Sequence, residues 1–373
     1  MVDVFHLKWH FQRVMKYSES VKELEDRAAA ALRELLDELS TIKLKADRIE
    51  QAGRDPGPDV VAHIQVDDHR RILVCEVKPS GQPQHVRSGI MQLQRYVRDF
   101  PANTTPVFIA PYLSPDAQAL CLENGIGYLD FEGNTHIVFD TVFIDRHVDS
   151  KPPAERRELR SLFKQRSAQI LRALLREPGR SWRVIELANT SGVSLGHVSN
   201  VRKALIERAW ASVDADGLKL TEPDAVLDAW RHDYQHPAGT IHEFYTTLHG
   251  AAFEEAIRSA MSHRENAGRI AFASFSAAQW LAPFARTGTH YFYADHLGLE
   301  WLRTTLRFSA AAKGNNVSIT VLKDDGLFRD TIEPAPNVFC TSPVQTYLDL
   351  SVSGERGQEA ADHLRRERLR WST

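Results

Sequence analysis

Cysteine is scarce in this chain: Cys75, Cys121 and Cys340 are odd in number and too far apart for a Cys-x-x-Cys zinc site. Neither a disulfide framework nor structural zinc is expected. Long apolar runs are also missing, since none reaches the roughly 18 to 20 residues needed to cross a bilayer. The N-terminal MVDVFHLKWHFQRVMKY lacks the apolar stretch of a signal peptide. The expected location is therefore cytoplasmic, with no membrane partner. There is no internal repeat and no low-complexity tract. With 43% hydrophobic and 25% charged residues, the composition excludes disordered, collagen-like and coiled-coil classes and permits a packed core. At 373 residues the chain exceeds the size at which one core stops growing, so two or three domains are expected.

Nor does either sign of charge dominate. Lys and Arg number 46 against 49 Asp and Glu, for a net charge of −3, which by itself argues against a nucleic-acid binder. The sum hides an asymmetry, however: Lys151 to Trp210 holds 13 Lys/Arg against 5 Asp/Glu, a local charge of +8. One basic module is implied.

The periodicities predict an α/β multidomain protein. Val21, Leu24, Ala28, Ala31, Leu32, Leu35 and Leu39 recur at helical spacing through Glu19–Leu39. Ile42–Ile49 predicts a strand, and Asp59–Val66 and Arg71–Val77 a hairpin. A helix marked by Val86, Ile90, Leu93 and Val97 follows, then a buried strand at Pro106–Ala110 and a helix at Asp116–Glu123. Ile126–Ile144 predicts two strands broken at Glu132-Gly133-Asn134. The Pro-bearing stretch Asp149–Ala154 reads as a linker, and His236–Gly239 as a second boundary. The expected domains are thus 1–150, 151–235 and 236–373, the last an α/β module with strands at Arg269–Phe275, His290–Ala294 and Val317–Leu322.

In the first module the chemistry-bearing residues are Pro58-Asp59 and Glu76-Val77-Lys78. Residues two apart on a strand share a face, so Glu76 and Lys78 project together while Val77 points away. If the hairpin pairs as read, Asp59 reaches the same sheet end, and two carboxylates make a hard oxygen site suited to Mg²⁺. Such an ion polarises a phosphodiester and activates water, with Lys78 orienting the nucleophile or neutralising developing charge. The arrangement resembles the PD-(D/E)XK nuclease superfamily over roughly Glu19 to Asp145, which implies a restriction-endonuclease-like α/β core. Gln92-Leu93-Gln94-Arg95-Tyr96 is similar to the QxxxY element of RecB-like members, implying roles for Gln92 and Tyr96 beside Asp59, Glu76 and Lys78. The resemblance also admits an additional helix-one acid, Glu34 or Glu38.

The basic module shows a different pattern. Ile170, Leu171, Leu174 and Leu175 mark one helix face ended by Pro178-Gly179, and Ser181 is expected to cap a helix over Trp182–Asn189. Thr190-Ser191-Gly192-Val193 is a short Gly-bearing turn, and Ser194 caps a further helix to Arg208. This is the pattern of a helix-turn-helix, completed as a winged helix by a hairpin over Ala211–Thr221. Val198, Val201, Leu205 and Ile206 face inward, which leaves Ser194, His197, Ser199, Asn200, Arg202 and Lys203 on or near the outer face. Such a helix suits the major groove: Asn200 has the geometry to pair with adenine, and Arg202 with guanine or phosphate.

Gly127–Asn134 and the stretch from Ser342 through Leu350 to Leu364 are similar to AbiEi-type antitoxins and transcriptional regulators. That resemblance implies a winged helix that binds the operon's own promoter and a C-terminal domain that aids DNA binding and counters a nucleotidyltransferase toxin. Better-known members begin with the winged helix, whereas here a nuclease-like module precedes it. Two readings stand: a promoter-binding regulator and antitoxin, or a Mg²⁺-dependent DNA endonuclease targeted by its winged helix. The partners expected are double-stranded DNA, a cognate toxin protein and a second copy of the chain as a homodimer.

Overall fold

The computed structural model describes residues 20–38, 42–51, 57–66, 69–149, 151–262, 268–284, 287–309 and 314–371. The N-terminal stretch to residue 19, Leu39 and residues 52–56 lie outside them. The chain divides into two compact units, Met1–Pro152 and Pro153–Thr373.

The first unit opens with α1 (Val21–Asp37), whose start is fixed by a capping box. The Ser20 hydroxyl accepts from the Glu23 N–H at 3.2 Å, and the Glu23 carboxylate accepts from the Ser20 N–H at 2.8 Å. A cap of this kind contributes about 1 kcal/mol. Leu24, Ala28, Leu32 and Leu35 form the buried stripe. Strands β1 (Ile42–Gln51), β2 (Val60–Val66) and β3 (His69–Val77) run antiparallel. After α2 (Pro83–Asp99) comes β4 (Thr104–Ala110), parallel to β3, and after α3 (Pro115–Glu123) comes β5 (Gly127–Asp130), parallel to β4. Strands β6 (Thr135–Phe139) and β7 (Val142–Arg146) close a seven-stranded sheet in sequential order.

The expected two strands over Ile126–Ile144 are therefore three. The second reversal is a tight turn in which Asp140 takes φ 47°, so it carries no Gly or Pro to mark it. The two sheet faces bury separate apolar clusters. Leu73, Cys75 and Val77 pack with the α1 stripe, whereas Val74 and Phe108 pack with Val86, Ile90 and Leu93 of α2. That alternation along β3 is the period-two rule at work.

The second unit begins with four helices, α4 (Pro153–Leu162), α5 (Gln165–Arg176), α6 (Val184–Ser191) and α7 (Leu195–Glu207). A hairpin, β8 (Ala211–Val213) and β9 (Leu218–Leu220), and α8 (Pro223–His232) follow. Gly192 ends α6 at φ 69°, a left-handed conformation that favours glycine at this turn. The helix expected from Trp182 starts later. Arg183 is its N-cap, Trp182 instead exchanges backbone hydrogen bonds with Leu218, and the Ser181 hydroxyl donates to Asp214 in the hairpin turn at 2.9 Å. The hairpin thus gains a third short extended segment and claims the residues that would have capped α6.

The remainder is a six-stranded sheet in the order β10-β13-β12-β11-β15-β14, formed by Gly239–Phe244, Val317–Leu322, His290–Ala294, Ile270–Phe272, Val338–Thr341 and Thr331–Ala335. Helices α9 (Gly250–Ser262), α10 (Ser274–Leu281), α11 (His296–Thr305), α12 (Pro343–Ser351) and α13 (Gly354–Arg368) accompany it, with a 3-10 helix at Asp325–Asp330. One apolar cluster runs through the whole unit, from Leu159 and Trp230 to Phe292, Tyr347 and Leu364. The segments before and after His236 therefore share a core. Cys75, Cys121 and Cys340 are buried free thiols. Among the described residues no helix is long and apolar enough to cross a membrane.

Candidate functional site

Strand pairing assembles the first candidate site. Val60 lies across from Cys75, which sets Asp59 opposite Glu76 at the end of the β2–β3 pair. The Asp59 N–H donates to the Cys75 carbonyl at 3.1 Å, and its carboxylate accepts from the Val77 N–H at 2.7 Å. Glu76 is only 2% exposed and forms an ion pair with Lys78, whose own N–H donates to the Ile109 carbonyl at 3.0 Å. A buried carboxylate of this sort persists only with a partner charge. Helix α2 closes over it at Gly89, where a Cβ would meet the Phe108 ring at 2.4 Å and the Glu76 side chain at 3.6 Å.

The helix-one acid beside this site is neither Glu34 nor Glu38. Glu34 is exposed, and Glu38, at the far end of α1, pairs with Arg146. Glu25 is half-buried, and its carboxyl is raised above the ordinary range first by burial and then by the negative charge of Asp59. That charge coupling is the signal that brings it to the site. Asp59 and Glu76 thus share one sheet end, with Glu25 within electrostatic reach of Asp59. Among the described residues no group of three His, Cys, Asp or Glu side chains has a metal-holding arrangement. A pair of carboxylates still suits Mg²⁺, which keeps several waters and binds through one or two carboxylates plus substrate phosphate. Asp59 and Glu76 are the residues that would hold it.

Gln92 and Tyr96 share a face of α2 as expected of residues four apart. Tyr96 is packed in the apolar cluster with Leu93 and Phe108, and Gln92 is half-buried with its side-chain oxygen buried and unpartnered.

On α7 the candidate residues divide. Ser194 is the N-cap, accepting from the His197 N–H at 3.3 Å, and Ser199 donates back to the Leu195 carbonyl at 3.0 Å. Ser199, Asn200 and Lys203 are exposed and Arg202 is half-buried. Lys203 lies 3.7 Å from Glu207, an exposed pair of small energetic weight. His197 does not stand free on the outer face: its ring is within 3.0 Å of the Ser167 hydroxyl on α5.

Both stretches that carried the AbiEi resemblance are hydrogen-bonded knots. Asp130 is 1% exposed and accepts from the N–H groups of Leu113, Glu132 and Asn134 and from the Asn134 amide, at 2.8 to 3.0 Å. In α12, Asp349 is fully buried and accepts from the hydroxyls of Tyr234 and Tyr293 and from the Gln345 amide, with the His236 ring 3.4 Å away. Tyr234, His236 and Tyr293 lie far from Asp349 along the chain, so no local pattern signals this network.

Residues 219–370 match the family model described as "Transcriptional regulator, AbiEi antitoxin, Type IV TA system". The similarity begins in β9, so Gly127–Asn134 and the helices α4 to α7 lie outside it. No curated protein matches the chain. Two solved structures are similar over part of it. A repair endonuclease from Pyrococcus abyssi shares 20% identity over 27% of this chain and 46% of its own, with a TM-score of 0.20. The EndoMS-dsDNA2 complex shares 21% identity over 28% of this chain and 44% of its own, also with a TM-score of 0.20. The chain spans less than half the length of either, and at that score neither bears on function.

Proposed function

We propose that this chain is a cytoplasmic, DNA-binding transcriptional regulator and the antitoxin of a type IV toxin-antitoxin pair, reading DNA through a winged helix made of α5 to α7 and the β8–β9 hairpin. The observation that supports it best is α7 itself. It is N-capped, follows a glycine turn, and presents Ser199, Asn200 and Lys203 to solvent within a segment of local charge +8. Phosphate contacts from Arg202 and Lys203 would set register while Ser199 and Asn200 meet base edges. The family similarity of the adjoining 219–370 supports the same reading, and a cognate toxin is its expected protein partner. The test is titration of the full chain onto duplex DNA from upstream of its own reading frame. Replacing Arg202 and Lys203 by Ala should lower affinity about tenfold at physiological salt and reduce the salt slope by about one for each lost phosphate contact. An unchanged slope in the double variant rejects α7 as the reader. A footprint with two half-sites about one DNA turn apart would mark a homodimer.

The site at Asp59 favours a second reading, a Mg²⁺-dependent DNA endonuclease on a restriction-endonuclease-like core. Bound there, the ion would supply Lewis-acid polarisation of the phosphodiester and activation of water. Asp59 and Glu76 would hold it, Lys78 would stabilise negative charge developing on phosphate oxygens, and Gln92 would hydrogen-bond the DNA backbone with Tyr96 packing behind it. Calorimetry with Mg²⁺ should show binding abolished in Asp59→Ala. Lys78→Ala should lose cleavage of supercoiled plasmid while retaining DNA binding. Cleavage by wild type and Lys78→Ala alike would reject the catalytic assignment.

A further inference from the structure

Arg202 and Lys203 account for only part of the local charge of +8. Between Pro153 and Arg166, across α4 and the first residues of α5, stand Arg156, Arg157, Arg160, Lys164 and Arg166 against two acids, Glu155 and Glu158. The fold sorts these charges. Both carboxylates turn to Arg208, the C-cap residue of α7, which is 4% exposed, at 2.9 and 3.5 Å. A buried guanidinium requires such partners, so the acids of α4 are engaged by the fold itself. The five cations are exposed, and none of them joins an ion pair among the described residues. The charge this segment offers outward is positive.

Helix α4 is also tied to α7 at its other end. The Ser167 hydroxyl donates to the Ser161 carbonyl in the last turn of α4 at 3.0 Å, and it stands 3.0 Å from the His197 ring in the first turn of α7. One end of α4 therefore meets the end of α7, the other meets its start, and the two helices run in opposite directions. His197 and Arg208 lie about three helical turns apart and so mark one line of α7. The exposed Asn200, three positions after His197, borders that line. These ties hold the positive row beside the helix that presents Ser199, Asn200 and Lys203 to solvent, so the two surfaces adjoin. A duplex that receives α7 in its major groove carries its sugar-phosphate backbone along the groove edge, where a bordering positive surface meets it. Leu159 and Leu162 of α4 are buried, so its outer face has charge without a large apolar anchor, which suits phosphate backbone and not a lipid surface.

We propose that α4 and the α4–α5 junction form a second DNA contact surface, a positive ridge that grips the phosphate backbone beside the groove entered by α7. Its placement on the duplex rests on the reading of α7 as the recognition helix. Phosphate contacts carry no sequence information, so α4 contributes to binding of any duplex and α7 to the choice among them.

The test uses the full chain and a random-sequence duplex of about 25 base pairs, titrated between about 50 and 200 mM salt. Arg156→Gln/Arg160→Gln removes two exposed cations one helical turn apart and leaves the Glu155–Arg208 pair in place. It should lower the slope of log affinity against log salt by about two and weaken binding at least about tenfold at 100 mM salt, equally for random and promoter duplexes. Arg366→Gln/Arg370→Gln, the same change of net charge at exposed positions in and after α13, should leave the slope unchanged. An unchanged slope in the α4 variant, an equal fall in the α13 variant, or no duplex binding at 50 mM salt would each overturn the proposal. Failure of the α7 reading looks different: Arg202→Ala/Lys203→Ala would then leave the slope intact while the α4 variant lowers it, and α4 would stand as a DNA contact without α7.

Discussion

Two buried carboxylate centres, one in each unit, show opposite ways of handling the same charge. In the second unit Asp349 is fully enclosed, and its Oδ1 accepts from the Tyr234 and Tyr293 hydroxyls, distant in sequence, and from the Gln345 amide one turn earlier on α12, with the His236 ring 3.4 Å away. In the first unit Asp59 lies across from Glu76, with Glu25 close enough for its carboxyl to be raised by Asp59 as well as by burial. One centre carries its donors with it. The other concentrates negative charge at the end of a sheet, with Lys78 the cation paired to Glu76. Asp349 gathers its donors on Oδ1 while its Oδ2 is buried without a hydrogen bond, whereas Asp59 and Glu76 gather like charge at a sheet end.

The largest expected effect tests the structural centre. Asp349→Ala removes the acceptor from two buried hydroxyls and an amide at once, and leaving such groups unsatisfied costs about 3 to 5 kcal/mol in total. Thermal unfolding of the full chain should show the transition of the second unit displaced to markedly lower temperature. Tyr234→Phe, which removes one donor and leaves the carboxylate in place, should cost about 1 kcal/mol. If Asp349→Ala unfolds at the wild-type temperature, the network is incidental and the contrast between the two centres fails.

The first unit predicts the reverse. Asp59→Asn should cost about 1 kcal/mol or less, because the lost charge-assisted hydrogen bond to the Val77 N–H is offset by relief of repulsion with Glu25. The Glu25 carboxyl should move back toward its ordinary value, which a carboxyl-resolved NMR titration reads directly. Sites built for binding concentrate unfavourable charge, and neutralising them is often neutral or stabilising. A destabilisation as large as that of Asp349→Ala would make Asp59 a structural residue and remove the motive for placing Mg²⁺ beside it.

These centres also separate what the sequence can carry from what it cannot. The hairpin that sets Asp59 opposite Glu76 follows from alternation over Asp59–Val66 and Arg71–Val77, and the observed strands differ from that reading by a residue or two. Short-range pattern suffices when partners are 17 residues apart on adjacent strands. Glu25 escaped because periodicity identifies the apolar face of α1 but not which end of the helix meets β2. A helix-one acid near the capped start, at Ser20, was the signal available. Trp182 escaped for another reason: a β-bridge to Leu218 outbid local helix propensity. Of the Asp349 network only Gln345, four residues earlier on α12, is local in sequence; Tyr234, His236 and Tyr293 reach the carboxylate through tertiary packing, which no local pattern announces.

The smallest effect is a pH dependence. The His236 ring lies 3.4 Å from Asp349, and that hydrogen bond, opposed by partial burial and aided by the carboxylate charge, raises its pKa above the ordinary histidine value. A raised folded-state pKa means that the protonated form is the one folding stabilises. The contribution is therefore complete below the unfolded value of about 6.5 and fades as pH rises through the folded value. Because the ring is 56% exposed, solvent screening keeps the effect small. The unfolding midpoint of the second unit should decline slightly as pH rises above about 6.5, and His236→Gln, which retains a donor but cannot titrate, should flatten that interval without changing the profile below it. Asp349→Ala should flatten it too, since the ring would lose the charge that holds its proton. A decline that survives in both variants would assign the titration to another group and leave His236 with no part in the stability of the Asp349 centre.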